Sequence, residues 1–222
     1  MESLWSQVDD YLAAHLVPGD EALDNALATS AAAGLPAINV TATQGKLLQL
    51  LARACRARRI LELGTLGAYS TIWLGRGLPA DGELFTLEID PAHAAVARHN
   101  IERAGLADRV SVVLGAASDT LAKLVSDGVE PFDFVFIDAD KANIDTYFTA
   151  SLQLSRVGTV IVVDNVVRKG DVIDAASEDV NVRGVRRLFD LLANEPRVSC
   201  TALQTVGGKG YDGLILALVA SL

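Results

Sequence analysis

The chain has 222 residues, half of them hydrophobic, with a mean hydropathy of +0.31, a formal net charge of −9 and a pI near 4.8. That length supports a substantial core in one folded unit, and the negative charge opposes attraction to nucleic-acid phosphates or anionic lipid. A small molecule is therefore the expected partner, with no nucleic acid and no membrane. Cys55 and Cys200 are far apart and match no metal-binding spacing, which predicts reduced, buried thiols in a cytoplasmic protein.

The opening Met1-Glu2-Ser3-Leu4-Trp5 has neither a basic segment nor a continuous apolar run, so no secretory signal is expected. No apolar stretch approaches the ~20 residues of a membrane span. Leu4, Val8, Tyr11 and Leu12 recur at helical spacing, Pro18-Gly19-Asp20 ends that helix, and Asp20 caps a second one running to Gly34. After the irregular segment Leu35 to Val40, a third helix is expected over Thr43 to Arg56, carrying Leu47, Leu48, Leu50 and Leu51. These helices, within residues 1–57, either form a packed amphipathic layer or act as a lid on the remainder, 58–222.

From Arg59 onward strands and helices alternate. Strands are expected at Ile60 to Leu63, Leu84 to Glu88, Val110 to Leu114, Phe132 to Ile137 and Val157 to Val163. Helices are expected from Ser70, from Pro91 with Asp90 as its cap, near Leu121 to Val125, and from Ala142. Val198 to Val206, the turn Gly207-Gly208-Lys209-Gly210 and Leu214 to Val219 read as a hairpin, hence an antiparallel edge. The pattern predicts an α/β fold: a doubly wound, Rossmann-like, mostly parallel seven-stranded sheet with an antiparallel edge hairpin and extra amino-terminal helices.

Three of the apolar runs end in oxygen-bearing clusters: Leu61-Glu62-Leu63-Gly64, Ile137-Asp138-Ala139-Asp140-Lys141 and Val163-Asp164-Asn165. Buried parallel strands open their carboxyl ends onto the ligand crevice, so these groups converge there. Asp138, Asp164 and Asn165 are hard oxygen donors suited to Mg²⁺, Ca²⁺ or Mn²⁺ and unsuited to a zinc site. Taken singly, Asp138 or Asp140 equally serves as a helix cap, and Asp164-Asn165 as a turn. Gly64 and Gly67 follow the first strand directly, where backbone approaches a ligand, and Glu88 closes the second strand, where a carboxylate accepts from both ribose hydroxyls. Glu62 beside that turn repels a pyrophosphate but holds a cationic ligand, which favours S-adenosylmethionine over NAD. An NAD-dependent oxidoreductase and a noncatalytic cofactor-binding module remain the alternatives.

Leu61-Glu62-Leu63-Gly64-Thr65-Leu66-Gly67-Ala68-Tyr69-Ser70, Thr86-Leu87-Glu88-Ile89-Asp90, Ile137-Asp138-Ala139-Asp140-Lys141 and Val163-Asp164-Asn165, in this order and spacing, resemble the cation-dependent class I O-methyltransferases, to which catechol and caffeoyl-CoA O-methyltransferases belong. The resemblance runs from about Ile38 to the last strand. It implies transfer of a methyl group from S-adenosylmethionine to a small aromatic diol. It further implies that Val40, Glu62, Gly64, Thr65 and Ser70 surround the methionine part of the cofactor, with Glu88 on the ribose and Ala117 on the adenine edge. Asp138 would reach both cofactor amine and metal, Asp164 and Asn165 would complete the metal ligands, and a homodimer is expected. Lys141, one turn beyond Asp138, is placed to take the acceptor proton; otherwise it is a solvent-facing lysine. His15, His93 and His99 match no ligand spacing and are expected on partly solvated helix faces. Arg168 and Lys169 either attract an acidic acceptor or a CoA phosphate, or form a solvated basic pair.

Overall fold

The computed structural model describes residues 2–222, with side chains from Leu4 onward; Met1, part of the opening segment read above, lies outside the described residues. Three helices lead, α1 (Glu2–Leu16), α2 (Glu21–Ala32) and α3 (Ala42–Ala54), followed by β1 (Arg59–Leu63), α4 (Tyr69–Gly75), β2 (Glu83–Glu88), α5 (Pro91–Arg103) and β3 (Val110–Leu114). The second half comprises α6 (Ala117–Ser126), β4 (Phe132–Ile137), α7 (Ile144–Gln153), β5 (Ser155–Asp164), α8 (Val180–Ala193), β6 (Val198–Gly207) and β7 (Gly210–Val219). The seven strands form one sheet in the order β3-β2-β1-β4-β5-β7-β6, parallel from β3 to β5 and antiparallel across β5-β7-β6. This is the doubly wound arrangement with an antiparallel edge hairpin that the sequence predicts.

The central strands bury both faces because helices cover both. In β4, Phe134 and Phe136 pack with α2 to α5, while Val135 and Ile137 pack with α6 to α8. Each such fully buried side chain contributes roughly 1.5–3 kcal/mol of transfer free energy. The amino-terminal helices divide in character. Leu23 and Ala26 of α2 and Leu48 and Ala52 of α3 join the core, so these two form a packed layer. On α1, Leu4, Val8, Tyr11 and Leu16 stay largely exposed. Asp20 accepts the Leu23 N–H and Asp90 those of Ala92 and His93, and these caps fix the starts of α2 and α5.

Several expectations need correction. Both thiols are free, but neither is buried: Cys55 is half-buried, and Cys200 is exposed because β6 is an edge strand with an uncovered face. The segment after Asp140 begins as a 3-10 turn, Lys141–Asn143, before α7. The helix α8 lies where no element is expected, and β7 begins at Gly210, ahead of Leu214, because hairpin pairing extends through Tyr211, Asp212 and Gly213. No helix among the described residues is long and apolar enough to cross a membrane.

Candidate active site

The carboxyl ends of β2, β1, β4 and β5 lie side by side. Leu63 pairs with Leu87 and with Ile137, and Ile137 pairs with Val163, which sets Glu88, Gly64, Asp138 and Asp164 in order along one sheet edge at a strand spacing of about 4.8 Å. The chain reverses its direction of winding between β1 and β4, the position where open α/β sheets form their ligand crevice. A cleft of about 670 Å³ opens there, and Val40, Gly64, Thr65, Ser70, Glu88, Ala117, Asp138 and Lys141 all line it. Beside it lies a pocket of about 310 Å³ walled by the start of α3, Asp164, Lys169 and the β6–β7 hairpin. Asn165 lines both cavities.

The turn after β1 is tightly specified. Gly64 has φ +96°, and a Cβ there would stand 2.2 Å from the Asp138 carbonyl oxygen, so the approach of β1 to β4 requires glycine. Glu88 Oε2 accepts the Leu66 N–H at 2.8 Å, and Asn100 Nδ2 donates to the Gly67 carbonyl at 2.9 Å. Thr65 and Thr86 share a hydroxyl hydrogen bond of 2.6 Å behind the turn. Glu62 is the one candidate residue that lines neither cavity. It is fully buried and accepts from the hydroxyls of Ser70, Thr71 and Thr86 at 2.7, 2.5 and 2.7 Å. Burial outweighs these three donors and pushes its carboxyl up to about 7. Glu62 therefore meets the cleft through Ser70, one layer behind the wall.

Lys141 is only 6% exposed although it lines the cleft, which removes the solvent-facing alternative. Its Nζ donates to Asp138 Oδ1 at 2.7 Å and to the Ala139 carbonyl at 2.9 Å. The turn that carries it is pinned by α8, which comes so close at Gly184 that a Cβ would lie 2.0 Å from the Lys141 carbonyl oxygen. Asp140 stays outside this network, accepting from Tyr147 Oη at 2.5 Å and Asn143 Nδ2 at 2.7 Å. Burial and the Asp140 charge both push the Tyr147 hydroxyl pKa upward.

Asp164 ends β5 nearly buried. Its Oδ1 accepts the Asn165 N–H at 2.8 Å, and its Oδ2 accepts from Gln44 Nε2 on α3 at 2.7 Å. Burial, and then the neighbouring Asp138 charge, raise Asp164 to about 7. Asn165 turns the chain at φ 57°, a left-handed conformation that asparagine tolerates. Two carboxylates and an amide thus meet where the cavities join, with oxygen donors only and a negative charge that Lys141 offsets in part. Such a donor set fits a hard divalent cation. Among the described residues no group of three His, Cys, Asp or Glu is arranged to hold a metal, so a cation here would rest on Asp138, Asp164 and the Asn165 amide.

The structure also brings in residues not anticipated from the sequence. Gln44 reaches Asp164 across 120 residues of chain, and nothing local to a polar residue in a helical first turn signals such a partner. Ile89, His93 and Tyr147 line the cleft, and Tyr211 and Asp212 the pocket. His93 lies 3.7 Å from Glu88 with its side chain 25% exposed, whereas His15 and His99 line neither cavity.

Comparison with known proteins bears on this arrangement. A profile of the O-methyltransferase family matches residues 17–219. The chain is 51% identical over 216 residues to a catechol O-methyltransferase of Niastella koreensis, covering 97% of this chain and 98% of the relative. It is 53% identical over 212 residues to a catechol O-methyltransferase of Mycobacterium tuberculosis, covering 96% and 94%. The crystal structure of an O-methyltransferase from Bacillus cereus in complex with S-adenosylhomocysteine superposes with a TM-score of 0.97 at 57% identity, covering 99% of this chain and all of that one. The oxidoreductase and noncatalytic alternatives are thereby set aside, and the chain belongs to the S-adenosylmethionine-dependent O-methyltransferase family.

Proposed function

We propose that the protein methylates one hydroxyl of a small aromatic acceptor bearing two adjacent hydroxyls, with S-adenosylmethionine as donor and with Mg²⁺, or alternatively Ca²⁺ or Mn²⁺, held by Asp138, Asp164 and Asn165. The observation that carries this reading is the junction of two cavities at Asn165, with Asp138 lining the larger and Asp164 the smaller. In this reading the cleft takes the cofactor. Glu88 holds the ribose and Ala117 faces the adenine edge. Val40, Gly64, Thr65, Ser70 and Asp138 surround the methionine part, and Glu62 supports Ser70 from behind. The pocket takes the acceptor ring against Leu47, Tyr211 and Leu214.

A free phenol titrates near pH ~10, so about one in a thousand is ionised at neutrality. A divalent cation held by Asp138, Asp164 and Asn165 would supply Lewis acidity that favours ionisation of the acceptor hydroxyl. Lys141 in its uncharged form, with its two N–H groups donated to Asp138 Oδ1 and the Ala139 carbonyl, would take the acceptor's proton on the Nζ lone pair within the cleft it lines. The acceptor oxygen forms a bond to the methyl carbon as the carbon–sulfur bond breaks. No protein nucleophile is needed, so alignment by the cavity walls supplies the main acceleration, worth up to ~7–11 kcal/mol. We also propose a homodimer, because the apolar face of α1 stands exposed beside the uncovered edge strand β6; light scattering at the mass of one chain would contradict it.

The activity test incubates the protein with methyl-labelled S-adenosylmethionine and a catechol, with Mg²⁺ or with chelator. Label transfer that chelation stops and Mg²⁺ restores is expected. Undiminished transfer after exhaustive chelation would overturn the metal assignment.

A further inference from the structure

We propose that the pocket selects acceptors whose ring carries a carboxylate-bearing substituent, and that Lys169 and Lys209 recognise it. This rests on the acceptor reading above and adds the charge class of the substrate and the residues that read it.

Five charged side chains line the pocket: Asp9, Asp164, Asp212, Lys169 and Lys209. The three carboxylates are already engaged by the chain itself. Asp9 Oδ2 accepts the Gly208 N–H at 2.7 Å, and Asp164 is held by Gln44 and the Asn165 N–H. Asp212 Oδ1 accepts the N–H groups of Val167, Arg168 and Gly213 at 2.9, 3.0 and 2.9 Å, and the Arg168 guanidinium lies 3.8 Å from its Oδ2. The two ammonium groups are less engaged. Lys169 has no hydrogen-bond or ion-pair partner among the described residues. Lys209 donates to the backbone carbonyl of Ala37 at 2.7 Å and pairs with no carboxylate among the described residues.

The lining thus holds three carboxylates whose oxygens accept from N–H donors of the chain itself and two ammonium groups with N–H donors left for a ligand. The position of Lys169 is imposed by its surroundings: Asp212 clamps the two preceding amides, and Lys169 itself takes φ 59° at the pocket rim. Tyr211 lines the same pocket as Asn165 and the two lysines and offers a flat surface for the acceptor ring. An aromatic diol with its hydroxyls at Asp164 and Asn165 and an anionic tail toward the hairpin turn fills both requirements. A cationic tail meets the same two ammonium groups, with Asp9 at the turn already accepting the Gly208 N–H, and is disfavoured beside the anionic one.

The test compares 3,4-dihydroxyphenylacetate, its neutral amide and 3,4-dihydroxyphenethylamine as acceptors. Steady-state kinetics use the full chain with S-adenosylmethionine and Mg²⁺, and calorimetry uses S-adenosylhomocysteine in place of the donor. The wild type should favour the carboxylate over the amide by about three- to ten-fold in kcat/KM and in affinity, the range of one or two partly exposed ion pairs, and the amine should rank last. The preference should shrink in high salt. In Lys169→Gln and Lys209→Gln the carboxylate-to-amide ratio should fall toward one, and in Lys169→Glu the order of carboxylate and amine should reverse. Equal use of carboxylate and amide by the wild type would overturn the inference while leaving the acceptor reading intact. Retention of the full preference in Lys169→Glu, with Lys209→Gln also unchanged, would overturn the assignment to these lysines. Failure of the wild type to methylate any of the three would overturn both.

Discussion

Gly64→Ala is the most sharply determined perturbation in the site. The added Cβ would stand 2.2 Å from the Asp138 carbonyl oxygen and 2.9 Å from its carbon, both backbone atoms that no side-chain rotation relieves. A left-handed alanine costs about 1–2 kcal/mol, and overpacking with partial relaxation about 1–3 kcal/mol more, for a total of about 2–5 kcal/mol. For a chain of 222 residues that corresponds to a fall in Tm of roughly 4–20 °C. Relaxation has to displace Asp138, so affinity for S-adenosylhomocysteine should fall at least ten-fold beyond the loss of stability. Thermal unfolding with and without S-adenosylhomocysteine, together with calorimetry on the folded fraction, measures both. A variant that melts within about 2 °C of wild type and binds S-adenosylhomocysteine equally would refute the claim that close approach of β1 and β4 shapes the cleft.

Gln44→Ala removes the N–H that orients Asp164 Oδ2, so calorimetric Mg²⁺ affinity should weaken about 10- to 100-fold with S-adenosylhomocysteine affinity retained; equal Mg²⁺ affinity would leave Gln44 a pocket wall and nothing more. Lys141→Ala should lower kcat by about 10²–10⁴-fold with both ligands still bound, and full turnover would remove Nζ from proton transfer. Glu62 sits at about 7 when folded against 4.5 ordinarily. The folded state therefore holds this proton more tightly than the unfolded one: the stability it contributes is intact below pH 4.5 and is lost between 4.5 and 7, a change of about 3 kcal/mol. Ligand-free Glu62→Gln should accordingly gain Tm relative to wild type between pH 5 and pH 8, and parallel pH profiles for the two proteins would contradict the shift.

Much of this architecture is legible in the sequence because buried parallel strands are short, predominantly apolar runs, as Phe132–Ile137 is apart from Asp133. Their carboxyl ends fall on one edge by topology, so Glu88, Asp138 and Asp164 are brought to the cavities without any knowledge of side-chain geometry. Depth is not legible in the same way. Glu62 and Ser70 both belong to the first motif, yet only Ser70 lines the cleft, because alternation along β1 sends Glu62 beneath it. Gln44 and Asp212 are ordinary polar residues in sequence, and their roles arise from contacts 120 and 45 residues away. The helix α8 carries Val182, Val185, Leu188 and Leu192 on its buried face, but Gly184 interrupts the run and weakens any helical expectation. That glycine exists because of the close contact with Lys141.

A crystal structure of the protein with Mg²⁺, S-adenosylhomocysteine and a dihydroxy aromatic acceptor tests the central proposal most directly. One oxygen each from Asp138, Asp164 and Asn165 should lie about 2.0–2.1 Å from a single cation that also contacts the acceptor hydroxyls. Acceptor density in the pocket with those three side chains directed elsewhere, and the cation bound at another place, would contradict it.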